Sequence, residues 1–427
     1  MLRTYTYPTK GEKIDAWEKH SKYVIKIVAP KDIPIAFYEY SQNYYAAAHL
    51  VGSYLIETNL NDISKLDTYF FSLAFLYRHS IELLLKAIAF KYIGTTIECA
   101  AFVKDTFHNL EEIFKTIENT FVSPRPTIEM DWLRKYFSDL SAMDRESDSF
   151  RYPFHIVWES NEWSMGGKFI IKRIFNKQTH IDLVKFCNKF EAAYEILQKW
   201  YTKNQQEATG WSELAPVFVE EGGYYYGQSV VGYNYNREDF YPYTKAYFDI
   251  ANYLRQHMKE QYDLGKANQV ERLFFPMCYM YRNCTELNLK AIWFEESGEK
   301  FQLRCKMMLD KKHSIQGMWN LIRPYAIECG NGTDDNEFIT ILDDYCWQLH
   351  SIDNDASKFR YPVHKNMQPY FNKNKHFDFW RIGIFLEALN NALDGIDSCI
   401  SAVNEYKAEM EAEYRSDMMA DYYYDSY

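Results

Sequence analysis

No run of apolar residues in this chain approaches the roughly 20 needed to cross a bilayer as a helix, so no membrane span is expected. The eight cysteines include no CxxC pair and no spacing of a metal-ligand set. Without a leader-like segment they read as buried or free thiols in a reducing cytoplasm, and neither a metal nor another cofactor is expected. A broad basic field is missing too: 48 Lys and Arg face 59 Asp and Glu, a net charge of −11. That argues against a protein that coats nucleic acid and leaves room for an enzyme with a small basic cleft. There is no glycine-rich loop leading into GK[ST], no HExxH, no GxSxG and no paired acidic metal motif. Gly166-Gly167-Lys168 is too short a match to count.

What the chain does have is aromatic residues and repetition. Of 427 residues, 18% are aromatic and 37 are Tyr, and the length allows two or three domains. FRYPFH at 150–155 returns as FRYPVH at 359–364. Upstream, YRHSIELLLKAIAF (77–90) returns as YRNCTELNLKAIWF (281–294), with nine of fourteen positions identical. Between the motifs each part carries a His followed by an amphipathic run, from His108 and from His313, and Asp144 and Asp353 precede the FRYP copies at matching positions. A period of about two hundred residues is too long for a solenoid and implies a duplicated domain.

Helical periodicity dominates. Long helices are expected at 36–57 and 239–260, at 65–92 and 268–296, and at 181–203 and 376–413. Shorter ones are expected near 108–119, 128–142, 313–323 and 336–351. The fold class is therefore all-α, with two duplicated up-and-down bundles of four or five helices forming a pseudo-dimer. The division is 1–203, a linker at 204–238, 239–410, and an acidic Tyr-rich tail at 411–427 read as a frayed end. Residues 167–175 suggest a strand or hairpin, and the Glu-Gly-Gly of the linker suits a β-hairpin turn.

On the second helix Arg78, Glu82 and Lys86 fall at i, i+4 and i+8, as do Arg282, Glu286 and Lys290. They draw one polar line down an otherwise apolar helix. Such a line faces a cleft, a partner or a buried network, since an unpaired buried charge is expensive; the bland alternative is a solvated ladder. Each glutamate is expected to meet its own Arg78 or Arg282, or the FRYP arginine of its own half. In FRYP, proline favours extended geometry at the residue before it. Phe150 and Tyr152 would then anchor the segment on its own bundle while Arg151, and Arg360 in the second copy, is aimed at a carboxylate or phosphate.

These residues resemble the HEPN superfamily: a bundle whose long helix carries RHSIELLLK, followed downstream by SFRYP, is similar to bacterial HEPN-like proteins of defence and toxin loci. The resemblance covers both halves and implies metal-independent RNA cleavage at a composite site between two domains. Arg78-His79 and Arg282-Asn283 match the start of the family motif. The histidine the family places further along that helix is absent, Leu83 and Leu287 standing five residues on. His155 and His364, or His108 and His313, are then the candidates to replace it. The candidate site is Arg78, His79, Glu82, Arg151, His155, Arg282, Asn283, Glu286, Arg360 and His364. Partners would be RNA or a nucleotide, or a protein of a defence or toxin–antitoxin system, with homo-oligomerisation open. The alternatives are a non-catalytic HEPN-like pair with a regulatory role and a helical scaffold.

Overall fold

The computed structural model describes residues 5–424, apart from 19–20, 59, 61, 122–127, 161–165, 205–209, 221, 223–226, 233–239, 267–269 and 331–335. It is predominantly helical. Among the described residues six α-helices precede the linker: α1 (Ile33–Thr58), α2 (Ile63–Tyr92), α3 (Thr96–Thr106), α4 (Leu110–Phe121), α5 (Ile128–Met143) and α6 (Leu183–Thr202). Six follow it: α7 (Tyr241–Asp263), α8 (Phe274–Ala291), α9 (Phe301–Lys311), α10 (Ile315–Cys329), α11 (Glu337–Ile352) and α12 (Phe379–Tyr424).

α2 starts at Asp62, whose side chain accepts from the Lys65 N–H, and every residue from Tyr69 to Phe90 is buried. A helix apolar on nearly all sides finds cover only by taking a central place. α1, α4 and α6 pack around it, and α7 from the later half closes the remaining side. α8 is sheathed likewise by α7, α10 and α12, with α1 reaching it from the earlier half. Aromatic stacking carries the core across: Tyr40 on Phe275, Phe71 on Tyr243, Phe75 on Tyr279. The backbone repeats as well. Phe107 and Lys312, just before His108 and His313, hold positive φ of 47° and 51°, and Ser147 and Ala356 hold 63° and 61°.

Three two-stranded antiparallel sheets complete the described residues. β1 (Val24–Ile27) pairs with β6 (Lys375–Asp378), so the segment before α1 packs on the later half. β2 (His155–Ser160) and β3 (Gly167–Lys172) form the hairpin expected around 167–175. β4 (Thr179–Asp182) pairs with β5 (Gln228–Val231). The linker strand therefore finds its partner ahead of α6 and not within the linker. The Ser229 hydroxyl donates to the Leu66 carbonyl and the Val230 N–H to Asp67, which fix that strand on α2. The Glu-Gly-Gly turn lies largely outside the described residues.

Two further differences have local causes. α3 and α9 were not expected, because they bury few side chains: Cys99, Phe102 and Thr106 in one, Cys305 and Met308 in the other. The tail, expected frayed, continues as helix α12, with residues 405–419 exposed. No helix among the described residues is long and apolar enough to cross a membrane.

Candidate functional site

The polar line of α2 is not solvated. Arg78, Glu82 and Lys86 are all buried, and so are Arg282, Glu286 and Lys290 on α8. Burying these charges is tolerable only because each carboxylate is crowded with donors. Glu82 Oε2 accepts from Arg78, while Oε1 accepts from Lys86 Nζ at 2.7 Å and from His108 Nδ1 at 2.9 Å. The fourth donor comes from the other half: Tyr361 of the second FRYP copy, at 2.8 Å. Glu286 repeats the arrangement with Arg282, Lys290 at 2.7 Å, His313 at 3.0 Å and Tyr152 of the first copy at 2.7 Å. The two arginines also pair with Asp144 at 2.8 Å and Asp353 at 3.6 Å, and donate to the carbonyls of His108 and His313. Arg78 and Arg282 thus lock the loops that present those histidines.

The tyrosines reverse the sequence expectation that they anchor FRYP on their own bundle. Local backbone bonds explain why. The N–H groups of Arg151 and Tyr152 donate to the Asp148 carbonyl, and those of Arg360 and Tyr361 to Ser357. Asp144 and Asp353 accept from the backbone of Ser149 and of Ser357 and Lys358. FRYP is therefore a turn, with Phe150 buried at home and Tyr152 projecting into the opposite half. Each turn is also clasped across the interface, Phe150 by the Tyr247 hydroxyl at 3.0 Å and Phe359 by that of Tyr44 at 3.1 Å.

A cavity of about 860 Å³ opens between these elements. Six cationic side chains line it, Lys86, Lys104, Arg151, Lys312, Arg360 and Lys365, against one carboxylate, Asp355. This local cation excess exists despite the chain's charge of −11. His108, His313 and His364 share the lining. His364 is exposed at the rim, its ring 3.7 Å from that of Tyr370. The structure thus brings Arg151, Arg360 and His364 to the cavity. Arg78, Glu82, Arg282 and Glu286 stand behind its wall. His79 is sealed in the core and, neutral, donates from Nε2 to the Arg360 carbonyl at 3.1 Å. Asn283 accepts from the Tyr279 hydroxyl at 3.2 Å. His155 sits on β2, 3.3 Å from the Ser149 hydroxyl.

Sequence reasoning offered His108 and His313 only as alternatives to His155 and His364 for the missing histidine, and left Tyr152 and Tyr361 out of the site. The two histidines carried a signal, each preceding a helix at nearly the same offset from its polar line, 30 residues after Arg78 and 31 after Arg282. Because Nδ1 faces a glutamate that stays ionised, it carries the proton, and Nε2 is left as the acceptor. Burial opposes the charge of Glu82, but Lys86, His108 and Arg78 hold its carboxyl well below the usual range. Burial pushes His108 down to about 4 against the pull of Glu82. His313 is pulled upward by Glu286, yet burial with Arg151 and Lys290 leaves it lowered. Both rings are neutral near pH 7, which leaves Nε2 free to accept a proton while the same burial makes each a weaker base than free imidazole.

The arginines of the wall are incompletely satisfied. Arg151 donates to the Ser147 carbonyl at 2.7 Å and pairs with Asp148, leaving Nη1 without a partner. Arg360 donates to the Tyr361 hydroxyl at 2.9 Å, and its Nε has no partner. Both side chains are almost wholly buried, a setting in which unused donors favour an incoming anion. Among the described residues no group of three or more His, Cys, Asp and Glu is placed to hold a metal ion. Comparison with protein-family models, curated proteins and solved structures finds no match.

Proposed function

We propose that the chain takes RNA into the cavity between its two FRYP turns and cleaves it without a metal ion, as a tandem pair of HEPN-like domains. One observation carries this reading: His108 and His313, each fixed through Nδ1 by a buried glutamate, line the same cavity as Arg151 and Arg360. One imidazole Nε2 takes the 2′-hydroxyl proton as that oxygen attacks phosphorus. The 5′-oxygen leaves and is protonated, giving a 2′,3′-cyclic phosphate and a free 5′-hydroxyl. The guanidiniums face the charge that builds on the non-bridging oxygens. The arriving phosphate raises the pKa of the second imidazole and so loads it with the proton the leaving oxygen needs. Arg78 and Arg282 serve as positioning residues.

The test is a panel of single-stranded and structured RNAs incubated with the protein in EDTA and followed for fragments with cyclic-phosphate ends. His108→Ala or His313→Ala should slow cutting by about 10²–10⁴ if the imidazoles act as base and acid. A second reading, a non-catalytic pair that binds RNA or a nucleotide to regulate a protein partner, has its own support. Both histidines are depressed, so neither is a ready acid in the free protein. RNA that is bound but never cut would select it.

A further inference from the structure

The two halves diverge at the residue three positions before the FRYP arginine, which is Asp148 in the first and Ser357 in the second. Asp148 forms an ion pair with Arg151. Ser357 has no charge to offer, and its hydroxyl donates to the Asp355 carbonyl at 3.4 Å. Arg360 consequently forms no ion pair among the described residues. Its guanidinium donates to a phenol, Tyr361, and its Cζ lies 5.8 Å from the ring centre of Tyr279 and 5.0 Å from that of Tyr361. A guanidinium 4% exposed, with its buried Nε–H unpartnered and no carboxylate, is the strongest unmet demand for an anion in the cavity.

The cavity wall is lopsided in the same sense. Lys86 and Tyr361 line it, whereas their counterparts Lys290 and Tyr152 do not. The β2–β3 hairpin, which follows only the first FRYP copy, lies against α9 and exchanges two hydrogen bonds between Phe169 and Gln302. Beside the cations on the open side stands an apolar wall that includes Val103, Phe107, Val363 and Met367. The nearest acid in that wall is Asp355. Such a surface fits a phosphate group carried by a flat, weakly polar body.

We propose that the duplicated half-sites have divided their labour, so that the chain binds one phosphate group, anchored by Arg360 with Lys86 beside it, and seats the attached base against the apolar wall. Arg151, its charge met in part by Asp148, is the weaker of the two guanidiniums toward that phosphate, and it also lies over the ring of Tyr152, which bonds Glu286. This rests on the reading that the cavity takes a phosphate-bearing ligand and adds which half holds it, and how many.

The experiment is calorimetric titration of the full chain with adenosine 5′-monophosphate, inorganic phosphate and adenosine. One site per chain is expected for the nucleotide, with phosphate weaker and adenosine weakest. Ser357→Asp supplies the missing carboxylate; the first half already carries an acid at this position, so the fold has a precedent for it. It should weaken nucleotide binding by about tenfold or more, because it pairs the one free guanidinium. The reciprocal Asp148→Ser should bind as the parent does or more tightly. Arg360→Gln should lose binding and Arg360→Lys recover part of it, each judged against its own unfolding curve. Two sites per chain, or a Ser357→Asp protein that binds like the parent, overturns the division of labour and leaves the cavity reading standing. A parent protein that binds neither nucleotide nor phosphate removes both.

Discussion

The Tyr361 hydroxyl donates to Glu82, 279 residues earlier in the chain, at 2.8 Å, and Tyr152 does the same to Glu286 across 134 residues. Each FRYP turn thereby completes the carboxylate cage of the opposite half. Neither cage is complete without a residue from the other half of the chain. Tyr361→Phe removes a hydrogen bond to a buried ionised group while keeping the ring. It should cost about 1.5–3 kcal/mol. Tyr152→Phe should match it. Chemical denaturation followed by tryptophan fluorescence and by far-UV dichroism reads both; an unchanged midpoint would mean the clasp is incidental.

Glu82→Gln tests the cage from its centre. The amide can still accept from one or two donors, but Lys86 loses its counter-charge while buried and Arg78 is left with Asp144 alone. Breaking a buried pair from one side costs about 3–5 kcal/mol. The loop before α4 should also loosen, because Arg78 holds it through the His108 carbonyl. Faster amide exchange around His108 together with a lowered melting point is expected. A fully stable Glu82→Gln protein with parental exchange would reduce the glutamate to a spectator.

The helices and the recurrence of their sequence were legible because they are written locally. Apolar residues at helical spacing announce α1, α2 and α7, and the recurrence of YR…EL.LKAI…F marks α8 as the partner of α2. The Arg–Glu–Lys line was legible as a line, but its pattern left a cleft, a partner, a buried network and a solvated ladder open, and only the packing around α2 and α8 shows it buried. What crosses between halves was not legible. Nothing near Tyr152 in the sequence names Glu286, and the turn that aims it depends on Asp144 accepting a backbone N–H five residues on. Proline restricts only the residue before it, so FRYP was read as extended where the preceding carboxylate makes it turn. The α3 helix had a signal that went unused, a capping box in which Thr95 and Glu98 satisfy each other's backbone.

The long end of α12 makes a negative prediction. Residues 408–419 are exposed, and among the described residues the last ion pair to the body is Lys407 with Glu328 at 2.6 Å, itself half exposed. Removing 408–427 should change stability by no more than about 0.5 kcal/mol. A larger loss, measured by thermal unfolding at several protein concentrations, would show that this helix is covered in solution, and a concentration-dependent midpoint would identify the cover as a second copy.

The depressed histidines set a direction for pH dependence. An unfolded His108 takes its proton near its ordinary value of 6.5, whereas in the folded chain burial delays this to about 4. Between those values the unfolded chain holds the extra proton, so acidification favours unfolding there and has no such effect above 6.5. His313 and the sealed His79 are lowered as well and act in the same sense. Glu82 and Glu286, held well below the usual carboxylate range, add a further loss only as the pH drops under their ordinary 4.5. The slope attributable to His108 is at most about 1.4 kcal/mol per pH unit, and less because its side chain is 28% exposed. Denaturation series from pH 7.5 to 4 should show stability level at first and then falling. In His108→Asn, whose amide can still donate to Glu82, the fall between 6.5 and 4 should be shallower by that amount. An identical slope in the variant would mean that His108 is as free to take a proton folded as unfolded, and with it would go its assignment as the neutral base of the cavity.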